Sequence, residues 1–175
     1  MDGRHQRSRT ACDAGFTLVE LIAVLVVVGV LAFVVVPRYT SSGFDERGFH
    51  DAVKSTLQHA RRTAIASRRY VCVTVTPGTG AAGNLAVTID TASPEDNTVA
   101  VACGTALSLP SPGNGCAPVV PSQLCAPARV VLAGNNVIFD PLGVPVTAAK
   151  VAAGVLAVTV NGLPISITPL TGWIQ

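Results

Sequence analysis

From Phe16 to Val36 the chain runs through 21 residues whose only polar members are Thr17 and Glu20. At 1.5 Å per residue a helix of that length spans roughly 32 Å, enough to cross a hydrocarbon core of about 30 Å. The stretch ahead of it is short and positive, with Arg4, Arg7 and Arg9 set against Asp2 and Asp13. Basic residues on the short side predict that this end stays in the cytoplasm while the rest of the chain lies outside. The chain has 175 residues, 49% of them hydrophobic and 13% charged. That length suits one exported domain behind one anchor, and the composition excludes intrinsic disorder. A net charge of +2 gives no whole-chain argument for nucleic acid.

An ordinary secretory signal is the competing reading. Such a signal has a 7–15-residue apolar core and then a small-residue cleavage site. Here the run is longer and ends in Val35-Val36-Pro37-Arg38, with no A-x-A pattern behind it. A plain uncleaved anchor leaves Glu20 unexplained. A carboxylate inside a membrane helix costs roughly 2.5–3.5 kcal/mol near the centre and less near the interface, so it is a functional candidate by default.

Gly15-Phe16-Thr17-Leu18-Val19-Glu20 followed by sixteen unbroken apolar residues resembles the class III signal of type IV prepilins and type II secretion pseudopilins. The resemblance implies that a membrane-embedded prepilin peptidase cuts after Gly15 on the cytoplasmic side and methylates the new amine of Phe16. It also implies that Glu20 pairs with the N-terminal amine of a neighbouring subunit during assembly, and that Pro37 sits where the helix bends. The physics agrees with these roles. Glycine lets a protease approach the backbone closely. A buried ion pair adds little net stability, yet an unpaired buried charge is costly, so Glu20 can set register.

The helix is expected to continue past the membrane. Pro37 removes a backbone donor and should loosen it locally, and Gly43 and Gly48 predict partial melting across residues 40–48. From Phe49 the apolar spacing turns helical through Val53, Leu57, Ala60 and Ala64, a stripe that should pack on a globular domain. Arg61, Arg62, Arg68 and Arg69 lie at its end, where cations suit the helix dipole. Residues 38–69 carry seven basic and three acidic side chains, a local net of +4. Such a segment suits a solvated face, an anionic lipid or nucleic acid, or a contact between subunits. No aromatic interleaving supports the nucleic-acid reading.

Beyond Arg69 the period becomes two. Strands are expected at Tyr70–Thr76, Leu85–Asp90, Thr98–Cys103, Val130–Leu132, Val137–Asp140, Leu156–Val160 and Leu163–Thr168. Asn161-Gly162 between the last two is the preferred pair of a type I′ hairpin turn. The predicted fold is α+β, a type IV pilin-like long N-terminal helix packed on a mostly antiparallel sheet. Its segments are a leader (1–15), a transmembrane or filament-core helix (16–36), an amphipathic continuation (37–69) and a β-rich domain (70–175).

Three later stretches narrow the resemblance. Ala60-Arg61-Arg62-Thr63-Ala64-Ile65-Ala66-Ser67 leading into Tyr70-Val71-Cys72-Val73 is similar to GspH/FimT-type pseudopilins. So are Phe139-Asp140-Pro141-Leu142-Gly143-Val144-Pro145 and the ending that contains Thr171-Gly172-Trp173. The minor pilin of the mannose-sensitive haemagglutinin (MSHA) pilus is a close subtype. Major pilins often place a disulfide loop near the C-terminus, so within this resemblance the absence of a cysteine after Cys125 implies a minor component.

Cys12 falls in the leader, leaving Cys72, Cys103, Cys116 and Cys125. An even count in an exported domain suggests disulfides, and four cysteines allow three connectivities. Cys116–Cys125 closing the Pro-rich loop and Cys72–Cys103 linking strands is the expected set, the alternative being a buried free thiol at Cys72. No C-x-x-C pair supports a metal, no cofactor is expected, and His50 and His59 are expected to face solvent. No nucleophile elbow or phosphate loop is present, so an enzyme is not expected. The expected partners are the prepilin peptidase/methyltransferase, other pilins or pseudopilins, an inner-membrane assembly platform and the lipid bilayer before assembly. The expected role is a minor structural subunit in the bacterial inner membrane, its C-terminal domain periplasmic, which enters a type IV pilus or a type II secretion pseudopilus. A surface-exposed adhesin or DNA-uptake subunit is the alternative, weakened because residues 77–175 carry Arg129 and Lys150 against Asp90, Glu95, Asp96 and Asp140.

Overall fold

The computed structural model describes residues 17–39, 42–96, 98–110 and 116–175, with helix side chains described for 17–31 and from 45 onward. The chain divides into two compact units, Met1–Ser41 and Ser42–Gln175. In the first, helix α1 spans Leu18–Tyr39. Thr17 starts it, its hydroxyl accepting the Glu20 backbone N–H at 3.2 Å, which satisfies one of the orphan donors of the first turn. The helix runs through Pro37 to Tyr39, so the proline does not end it. Every described side chain, Thr17–Leu31, is exposed in the single chain. Among the described residues no helix is long and apolar enough to cross a membrane. The described side chains of α1 cover only the first part of the apolar run.

The second unit opens with α2, Ser42–Ser67. Melting was expected across residues 40–48, yet Ser42–Gly48 is helical. The reason is tertiary: Phe49, Val53, Leu57, Ala60 and Ala64 are all buried, and this packed stripe outweighs the low propensity of Gly43 and Gly48. Asp45 in the first turn also suits the positive end of the helix. The last turn contains no basic side chain, so the dipole explanation for the arginines fails. Arg68 instead takes a positive φ of 52°, and the Arg69 N–H bonds back to the Ala64 carbonyl at 3.2 Å. That is a Schellman ending with arginine in the left-handed position usually held by glycine.

Among the described residues ten strands follow: β1 (Val71–Thr76), β2 (Gly78–Thr79), β3 (Asn84–Ile89), β4 (Thr105–Ala106), β5 (Gln123–Cys125), β6 (Val131–Gly134), β7 (Val137–Phe139), β8 (Pro145–Val146), β9 (Leu156–Val160) and β10 (Leu163–Ile167). These described strands form two sheets. The six-stranded sheet has the order β4-β3-β1-β7-β8, with β5 also on β3, and the four-stranded sheet the order β10-β9-β6-β2. Every pairing is antiparallel. In β1, Val71, Val73 and Val75 are buried while Thr74 and Thr76 face outward, the alternation of a half-buried strand. Together with Leu85, Val87, Leu132, Val137, Phe139, Val158, Val160, Ile165 and Ile167 they close the core over α2.

Residues Thr98–Cys103 are not a strand. Their backbone donors go elsewhere: Val101 N–H to the Ala148 carbonyl, and Ala102 N–H to a carboxylate oxygen of Asp90 at 3.0 Å. The last strand stops at Ile167 because Thr168 turns the chain, its N–H bonding the Trp173 carbonyl at 2.9 Å and its carbonyl accepting the Gly172 N–H. The Asn161-Gly162 turn has both residues at positive φ, 49° and 83°, as a type I′ turn requires.

Candidate assembly sites

Gly15 and Phe16 lie outside the described residues, and the side chain of Pro37 does too. Glu20 stands in the first turn of α1, exposed and three residues after the capping Thr17. Thr-x-x-Glu is the spacing of a capping box, so the residue read as an assembly group also occupies a favourable helix-start position. Past Glu20 the described side chains to Leu31 are apolar apart from Gly29. A helix apolar on every side belongs in lipid or among other helices rather than in water.

The four later cysteines pair as Cys72–Cys103 and Cys116–Cys125. The first ties β1 to the irregular segment before β4 and not to a second strand; the second closes a short loop onto β5. Among the described residues no cluster of His, Cys, Asp and Glu could hold a metal ion. His50 and His59 are half-buried rather than solvent-facing, and His50 lies 3.7 Å from the Asp51 carboxylate.

The structure joins three stretches that the sequence presents separately. Arg61, on α2, donates from Nε to the Gly143 carbonyl at 3.1 Å and from Nη2 to the Thr171 carbonyl at 2.9 Å. One guanidinium thus clasps the turn after β7 and the C-terminal turn. A planar fork of donors can serve two carbonyls at once, which a lysine cannot do with the same geometry. Asp140 shapes the first turn, its carboxylate accepting the Leu142 and Val144 N–H groups at 2.9 and 2.8 Å. The two turns meet so closely that a Cβ on Gly172 would lie 1.9 Å from the Gly143 oxygen. The final residues return along β10, Gln175 and Ser166 exchanging backbone bonds at 3.0 and 3.1 Å. Sequence reading assigned Arg61 to the helix dipole and missed this clasp; its only signal was that the three quoted stretches occur in one chain.

A second arginine acts similarly. Arg69 donates from Nη1 to the carbonyls of Thr91 and Ala92. The buried Asp90 carboxylate holds the same loop from within, accepting Ala92 N–H at 2.8 Å and Ala102 N–H at 3.0 Å. Lys150 donates to the Asp96 carbonyl and sits 5.4 Å over the Tyr70 ring. Burial, then the charges of Asp140 and Asp90, push the Tyr70 phenol above its ordinary value. Hydrogen bonds from Thr98, with a smaller contribution from Lys150, hold the Asp96 carboxyl below its ordinary value. The basic cluster is therefore half structural: Arg61 and Arg69 bind loops, while Arg62 and Arg68 are exposed.

The described residues form an N-terminal helix followed by a helix-backed antiparallel domain. Residues 11–36 match the family model described as the prokaryotic N-terminal methylation motif. No curated protein matches it. Among solved structures it is similar to the type IV minor pilin FimU of Pseudomonas aeruginosa, at 15% identity and a TM-score of 0.45, over 74% of this chain and 90% of that one.

Proposed function

We propose that this chain is a minor pilin or pseudopilin, a structural subunit that is cut after Gly15, methylated on Phe16 and assembled into a type IV pilus or a type II secretion pseudopilus. The observation that carries the reading is the N-terminal methylation motif over residues 11–36. The exposed, all-round apolar side chains of α1 support it, because such a surface needs lipid before assembly and neighbouring helices after it. Before assembly the subunit sits in the inner membrane by one span, its C-terminal domain in the periplasm, where the two disulfides can form. Its partners are then the prepilin peptidase, the assembly platform and other pilins. Repeating one heterologous contact without closure produces a filament. Glu20 contributes by taking the ammonium of a neighbour's Phe16 when its own hydration is lost.

Intact-mass measurement of membrane-extracted protein tests processing: the expected product begins with methylated Phe16, and Gly15→Val retains residues 1–15. A wild-type chain that keeps its leader beside an active peptidase refutes the proposal. Glu20→Ala is expected to be cleaved and inserted normally yet to be depleted from sheared or cross-linked filament fractions.

A further inference from the structure

Strand β10, Leu163-Pro164-Ile165-Ser166-Ile167, lies at one margin of the four-stranded sheet. It is five residues long and its sequence carries no charge. The other strands at the sheet margins are shorter: β2, β4 and β8 have two residues each and β5 has three. A long uncharged edge is a template on which another extended strand can pair. Proteins blunt such edges with charges, with prolines or with a covering segment.

Here the edge is blunted by the last two means. Successive residues of a strand point their backbone groups to alternate sides. Ser166 points its pair outward, where it exchanges bonds with Gln175 at 3.0 and 3.1 Å, and the outward N–H of Thr168 is taken by the Trp173 carbonyl at 2.9 Å. Pro164 has the parity of Ser166, so at its outward position the donor is missing altogether. The covering segment is pinned at two points. Arg61 holds the Thr171 carbonyl at 2.9 Å, and Ile174, only 4% exposed, joins the core and bridges to Ile167.

We propose that residues 171–175 are an edge guard, an intramolecular contact that occupies the outward groups of β10 and keeps β10 of one chain from pairing with β10 of another. Once uncovered, two such strands can pair antiparallel about a two-fold axis, with Ser166 opposite Ser166 and both N–H···O bonds exchanged between them. That contact is isologous and closes into a dimer, which the guard prevents. The Arg61 clasp thereby acquires a second role, because it holds the guard as well as the turn after β7. The inference does not depend on the function proposed above. A domain kept single is compatible with that function, since it remains free to take its place among other subunits.

The test uses the full-length chain in detergent, prepared as a mixture of isotopically light and heavy copies, with a photo-crosslinking amino acid in place of the exposed Leu163. Mass spectrometry then identifies adducts that join a light copy to a heavy one. The intact chain is expected to give no such adduct within residues 163–168. A chain ended at Thr168 loses the guard and is expected to give it. Ser166→Pro in the shortened chain should abolish the adduct, because it removes the outward donor and leaves the bonds to β9; Pro164 shows that the strand accepts a proline at this parity. Circular dichroism establishes whether the shortened chain is folded. If loss of Ile174 unfolds it, a chain ended at Ile174 keeps that core residue, uncovers Ser166 and is read in the same way. A folded shortened chain without the adduct overturns the proposal. So does an adduct that survives Ser166→Pro, or an intact chain that gives as much adduct as the shortened one.

Discussion

Replacing Gly172 by alanine probes the clasp at its tightest point. Gly172 has a φ of +62°, and an alanine Cβ there would meet the Gly143 oxygen at 1.9 Å and Arg61 Nε at 3.1 Å. The left-handed conformation alone costs a non-glycine residue about 1–2 kcal/mol. The overlap with the carbonyl exceeds an ångström against an ordinary carbon–oxygen contact of about 3.3 Å, so one of the two turns has to move. Movement of either turn strains the bonds from Arg61 to the Gly143 and Thr171 carbonyls. A buried hydrogen bond to a charged group is worth roughly 1.5–3 kcal/mol, and this half-exposed pair is worth less. The expected total for Gly172→Ala is about 2–4 kcal/mol, the sum of the conformational cost and about 1–2 kcal/mol from the loosened clasp.

A control separates the two contributions. Gly162 also has a positive φ, +83°, but nothing lies within 4 Å of the position of its Cβ. Gly162→Ala should therefore cost only the conformational part, about 1–2 kcal/mol. Urea titration of the full-length chain in detergent, followed by circular dichroism, gives both midpoints with the slope as a check on compactness. Arg61→Ala should reduce the difference between the two alanine variants, because the bonds that Gly172→Ala strains are then already gone. Equal losses for Gly172→Ala and Gly162→Ala in the wild-type background would refute the clasp as a constraint on the fold.

Two further outcomes concern the loop held by Arg69 and Asp90 and the nearby Tyr70. Asp90→Asn replaces one of two acceptor oxygens by an NH₂ group that faces a backbone donor, so stability should fall by about 1–3 kcal/mol, with faster amide exchange at Ala92 and Ala102; unchanged exchange would count against Asp90 as the loop's anchor. The raised Tyr70 phenol means that the folded state favours the neutral form. Its stabilising contribution is then complete below the ordinary phenol value of about 10 and is lost as pH rises through the folded value. Tyr70→Phe should flatten the alkaline arm of the stability profile, and a parallel profile would remove Tyr70 as its cause.

The elements legible in the sequence are those whose pattern is local and long enough to repeat. The α2 stripe from Phe49 to Ala64 repeats at helical spacing and is buried as read; β1 alternates over six residues; Asn161-Gly162 carries its own turn chemistry. Strands of two residues such as Thr105–Ala106 and Pro145–Val146 leave no period to detect. Thr98–Cys103 has a strand-like composition, but Asp90 takes one of its donors, and Val99 is exposed. The clasp was illegible for a different reason. Arginines near a helix end look alike in sequence whether they are solvated or bonded, and the carbonyls that Arg61 binds lie 82 and 110 residues away.

The distribution of the core has a consequence for assembly. Among the described residues, the buried cluster begins at Phe49 and ends at Ile174, all within the second unit. Among those residues, the α2-and-sheet unit holds the buried core, both disulfides and the clasp. What α1 exposes is then available to whichever apolar surroundings offer themselves, lipid tails or other helices, without a folding penalty in the domain. Under the function proposed above, such a subunit would exist first as a membrane species and then as a filament species. The separation also makes the two surfaces independent to perturbation. A change at Glu20 should alter incorporation while domain stability is unchanged, and a change at Gly172 should alter domain stability while processing is unchanged, because the groups concerned share no core residue.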